Sequence, residues 1–73
     1  MKASEFQYAV EAEFGAFGRV LAREVVLPEL GNRTAEEALA AGVGARDVWL
    51  ALCRAQDVPP DRRHGVGLPD PRD

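Results

Sequence analysis

Thr34–Val58, TAEEALAAGVGARDVWLALCRAQDV, decides the fold. Thr34 followed three residues later by Glu37 is the pattern of a capping box, in which each residue's side chain bonds the other's backbone N–H. The periodic run Ala35, Ala38, Leu39 then ends at Gly42, a residue suited to the left-handed geometry of a helix stop. A second periodic run, Ala45, Val48, Trp49, Leu52, Cys53 and Ala55, predicts a helix over about Ala45–Gln56 that Pro59 and Pro60 terminate. Neither helix would hold alone in water at this length, so the two must pack on one another and on a third element.

Upstream, Ser4 and Gln7 match a capping box for a first helix whose inner face carries Phe6, Ala9, Val10, Phe14 and Phe17. Glu13 falls near the centre of that face, so either the helix ends there or the carboxylate meets a cation such as Arg19 or Arg23. Gly15 and Gly18 bracket a turn. A second helix follows, with Phe17, Val20, Leu21, Val25 and Leu27 as its apolar stripe, and Pro28 stops it near Val26. The predicted core is Phe6, Val10, Phe14, Phe17, Val20, Leu21, Leu39, Val48, Trp49 and Leu52. No alternating run bounded by hairpin turn residues signals a strand. The expectation is an all-α, compact four-helix domain over residues 1–60, with a helix-turn-helix-like C-terminal pair and a flexible tail over residues 61–73.

Seventy-three residues leave room for one small core. A single cysteine, Cys53, excludes an internal disulfide, and no ligand cluster of zinc spacing surrounds it. The N-terminal run is interrupted by glutamates, so it lacks the apolar region of a signal peptide, and no segment reaches membrane-span length. These features predict a soluble cytoplasmic protein. Nine basic against twelve acidic residues give a net charge of -3, which opposes non-specific attraction to nucleic acid or anionic lipid.

Ser4-Glu5-Phe6, Phe14-Gly15, Val26-Leu27, Leu30-Gly31, Arg33-Thr34, Glu37-Ala38-Leu39, Gly42, Val48-Trp49, Ala51, Cys53 and Val58-Pro59 together resemble a family of small actinobacterial proteins of unknown function. Genes of that family often lie beside those for the recombination regulator and recombinase. The match spans nearly all of residues 1–60, with departures at Gln7, where the family usually has tryptophan, at Asn32, where it has a second glycine, and at Pro28. The resemblance implies a compact helical domain and no established activity.

Chemistry-bearing residues are few. Glu36 and Glu37 are adjacent and point to different sides of a helix, which suits the helix dipole better than acid–base work. Cys53 stands late in its helix without a basic partner, and His64 lies in the tail, so neither forms a nucleophilic pair. No enzyme activity, metal or cofactor is expected. The glycine at the turn with Ala38 four before it and Val48 six after follows helix-turn-helix spacing, but Glu37 occupies an inward position of that motif and Asp47 accompanies Arg46. The favoured reading is a small intracellular protein-interaction module using Arg33, Arg46, Leu50 and Arg54. In it Leu50 is an exposed apolar anchor flanked by arginines, and the partner is another protein. The alternative is a weak DNA-binding, helix-turn-helix-like accessory of recombination or regulation.

Overall fold

The computed structural model describes residues 1–63, so His64 and most of the expected tail lie outside the described residues. Helices α1 (Ala3–Phe14), α2 (Gly18–Glu24), α3 (Ala35–Ala40) and α4 (Ala45–Ala55) supply most of the fold, joined or followed by 3-10 turns at Gly15–Phe17, Pro28–Leu30 and Pro60–Arg62. Two short strands, β1 (Val26–Leu27) and β2 (Arg33–Thr34), pair antiparallel, Val26 opposite Thr34 and Leu27 opposite Arg33. The all-α expectation is therefore corrected to a mostly helical fold with a small strand pair. A count of four full helices is not established either, since α3 spans only six residues.

The strand pair closes because the intervening turn places two successive residues in left-handed geometry, Gly31 at φ 75° and Asn32 at φ 60°. Glycine adopts that region freely and asparagine is the side chain that tolerates it best. The Asn32 N–H donates to the Leu27 carbonyl, which ties the turn to the end of β1. β2 then runs directly into the α3 cap, where Thr34 N–H donates to Glu37 Oε1 at 2.9 Å and Glu37 N–H donates to Thr34 Oγ1 at 3.2 Å. The predicted box at Ser4 and Gln7 is displaced. α1 starts two residues earlier, with Lys2 at its cap, and the Lys2 N–H donates to Glu5 Oε1 at 2.7 Å.

α3 and α4 end in the same way. Beyond α3, Gly42 N–H donates to the Leu39 carbonyl and Val43 N–H to the Ala38 carbonyl; beyond α4, Asp57 N–H donates to Arg54 and Val58 N–H to Cys53. Both are Schellman stops. The left-handed residue is Gly42 (φ 94°) in one and Asp57 (φ 58°) in the other.

The core holds Phe6, Val10, Leu21, Leu27, Val48, Trp49, Leu52, Cys53 and Val58, with Ala9, Ala22, Ala35, Ala38 and Ala51 closing the spaces between backbones. Phe14 and Leu39 are partly buried against it. Two predicted core residues are on the outside: Phe17 is 61% exposed and Val20 36%. The cause is Gly18, where a Cβ would lie 2.4 Å from Val10 Cγ1 and 2.9 Å from the Val10 carbonyl oxygen. α2 thus presses its glycine backbone onto α1, with Ala22 one turn later also buried. Turning Gly18, Leu21 and Ala22 inward turns Phe17 and Val20 outward.

Candidate interaction surface

Arg46, Leu50 and Arg54 recur every four residues along α4 and so share one stripe of it. Arg54 is engaged: its Nε donates to Glu29 Oε1 at 3.0 Å, and its Nη2 donates to Glu29 Oε2. The hydrogen bond from Arg54 holds the Glu29 carboxyl below its ordinary 4.5, and the same bond raises the Arg54 guanidinium further. Leu50, expected to stand free, is half-buried and packs against the core. Arg46 is exposed and has no ion pair among the described residues. Arg33 is exposed on β2 with its Nη1 lying over Gly31, and it shares no hydrogen bond with the other three among the described residues. The stripe is therefore one free cation, one committed cation and a leucine mostly spent on packing.

A second surface emerges that periodicity missed. Phe17 and Val20 stand one turn apart on the outer side of the α2 region, with Arg23 about one turn beyond Val20 and Arg19 on the side toward α1, both exposed. Arg19 Nε lies 3.7 Å from Glu11 Oε2 and Arg23 Nε 3.3 Å from its neighbour Glu24, pairs exposed enough to be weak and easily exchanged. Arg19 and Arg23 also rim a groove of about 340 Å³ between α1, α2 and α3, with Phe6, Val10 and Leu39 on its floor and Glu36 on the far side. The signal that could have located this surface is the pair of small residues Gly18 and Ala22. Small residues four apart let helix backbones approach, and the large side chains flanking them are then directed to solvent.

Cys53 is fully buried, and burial pushes its thiol up to about 12, so it is protonated at neutral pH and carries no thiolate chemistry there. Among the described residues no group of three or more His, Cys, Asp and Glu side chains gathers at a metal-binding spacing. Nor is any described helix long and apolar enough to cross a membrane.

No curated protein and no solved structure matches the chain. Residues 1–61, which contain every helix and strand described above, match one family along its shared pattern, and the chain belongs to that family, described as "Protein of unknown function (DUF3046)".

Proposed function

We propose that the chain is a small protein-interaction module whose docking element is the outer face of α2, with Phe17 and Val20 as the apolar anchors and Arg19 and Arg23 as the flanking cations. The observation that carries this reading is the 61% exposure of Phe17, a large aromatic held outward by the packing of Gly18 rather than by local disorder. Burying such a side chain contributes roughly 1.5–3 kcal/mol, and interface anchors are typically aromatic or arginine. The fitting partner is a protein surface with an apolar pocket rimmed by carboxylates, which could take Arg19 and Arg23 from their weak exposed pairs. The α4 stripe of Arg46, Leu50 and Arg54, with Arg33, is the less favoured surface of the same module, because Arg54 is bound to Glu29 and Leu50 supports the core.

The test is affinity capture from lysate with nuclease treatment, comparing wild type, Phe17→Ser and Arg46→Glu. A captured protein lost with Phe17→Ser and kept with Arg46→Glu supports docking through α2. Capture indifferent to Phe17→Ser sinks this surface. A second reading, weak DNA binding by the α3–α4 pair, draws on the left-handed Gly42 between them and on the exposed Arg46. With Arg54 committed to Glu29, its phosphate contacts would be few and its affinity strongly reduced by salt. Retardation of duplex DNA at low salt that Arg46→Ala abolishes would favour it over protein docking.

A further inference from the structure

Glu13 poses a question that periodicity raised and the helices alone do not answer: a carboxylate on the inner side of α1, its side chain only 11% exposed. Neither nearby cation suggested by sequence, Arg19 or Arg23, pairs with it. Its partner comes from the far end of the described chain. Arg62 Nε and Nη2 donate to Glu13 Oε2 at 3.2 and 3.1 Å, a link between positions 49 residues apart. Two further bonds hold the same segment. The Trp49 indole N–H donates to the Arg63 carbonyl, and Arg63 Nε donates to the Val58 carbonyl at 2.7 Å.

Under these contacts lies the most aromatic part of the core. Trp49 is wholly buried, Phe14 meets it edge-on with ring centroids 6.3 Å apart, and Cys53 one turn along α4 is also wholly buried. Val58 N–H, where the segment leaves the core, donates to the Cys53 carbonyl at 2.9 Å, so the segment departs from α4 beside that residue. The cover is polar and backbone-made, while what it covers is apolar. From Pro59 to Arg63 no side chain is fully buried. A segment attached in this way lacks the apolar burial that would bind it into the cooperative unit, and such segments open at lower cost than the core beneath them.

We propose that Pro59–Arg63 is a displaceable strap, latched by the Glu13–Arg62 ion pair and the Trp49–Arg63 bond, which opens as a local unit to expose the Trp49–Cys53 wall of α4 without unfolding the helices. The inference is independent of docking through α2, since it concerns the opposite end of the chain and needs no partner. The latch explains the position of Glu13: a carboxylate on the inner face is useful where a cation from outside must be held over that face. Because Arg62 remains about half exposed, its pairing is open to screening by salt.

The experiment uses the full chain and two native reporters, the labelling rate of Cys53 with a neutral thiol reagent and acrylamide quenching of Trp49. Arg62→Gln and Arg62→Glu alter only a surface side chain, so folding is preserved and is checked by far-UV circular dichroism. Expected is faster labelling in the order wild type, Arg62→Gln, Arg62→Glu, by roughly fivefold or more for the first step, with parallel gains in quenching. Glu11→Gln, which removes an equal charge from the Arg19 pair, should leave both readouts unchanged. Local opening also requires that labelling stay nearly flat at low urea. Rates in Arg62→Glu equal to wild type, or rates rising with urea as steeply as global unfolding, would overturn the strap.

Discussion

Asp57 offers the sharpest test of how the two helix stops work. At the end of α3 the left-handed position is filled by Gly42; at the end of α4 the same hydrogen-bond pattern is built on Asp57 at φ 58°. A left-handed conformation costs an L-residue roughly 1–2 kcal/mol, eased for aspartate, while glycine loses roughly 0.5–1 kcal/mol more backbone freedom on folding. Asp57 also places a negative charge beyond the negative end of the α4 dipole, a further unfavourable contribution of about 0.3–1 kcal/mol. Asp57→Gly removes both penalties and should stabilise the domain by about 1 kcal/mol, raising the melting temperature by roughly 4–8 °C for a domain of this size. Gly42→Ala is the mirror experiment. A Cβ there meets nothing within 4 Å, so its cost, about 1 kcal/mol, is a backbone effect without a clash. Asp57→Asn separates the two contributions, since it keeps the left-handed tolerance and drops the charge. Thermal melts by circular dichroism, with urea titrations to convert midpoints to free energies, read all three. An Asp57→Gly midpoint at or below wild type would refute the reasoning, as would Gly42→Ala without loss.

Two further outcomes concern packing and pH. Gly18→Ala should cost about 1–3 kcal/mol in a urea titration, because the new methyl would sit 2.9 Å from the Val10 carbonyl and the helices must separate to admit it; a midpoint like wild type would show that α2 does not bear on α1 at that point. Glu29 is depressed in the folded protein, so its contribution is present above its ordinary 4.5 and is lost as pH falls through the lower folded value. Acid melts of wild type and Glu29→Gln should therefore differ near neutrality and converge below that range, and a constant gap down to strongly acid pH would show that the Arg54 pair is not the cause.

How much of this was legible depends on whether side-chain size or backbone approach decides each position. Thr34, Glu37, Gly42 and the proline stop act through local backbone chemistry, and the α3–α4 pair follows them closely. Val48, Trp49 and Leu52 are buried because they are the large members of an unambiguous stripe. Phe17 and Val20 fail by the same rule, because α2 is only seven residues long and its contact with α1 is chosen by Gly18 and Ala22. The strand pair was unreadable because two residues per strand give periodicity nothing to repeat, and its register rests on the left-handed turn at Gly31 and Asn32. Val58 is absent from the core predicted by periodicity because it lies beyond the helix ending at about Gln56, whereas a Schellman stop makes the residue after the left-handed position an inward plug. Of the interaction residues, Arg46 is exposed with no ion pair among the described residues, Leu50 is half-buried, and Arg54 is bound to a glutamate 25 positions away that no local pattern could assign.

The five buried alanines carry a last consequence. Ala9, Ala22, Ala35, Ala38 and Ala51 have no rotamers to freeze, so folding orders them at the cost of backbone freedom alone. The side-chain entropy of the interior is concentrated in Phe6, Leu21, Leu27, Trp49 and Leu52, and so is most of the area withdrawn from water. Substituting larger residues for the alanines would gain apolar surface yet force the backbones apart, while trimming any one of the five large side chains would remove a sizeable share of all that holds the chain together.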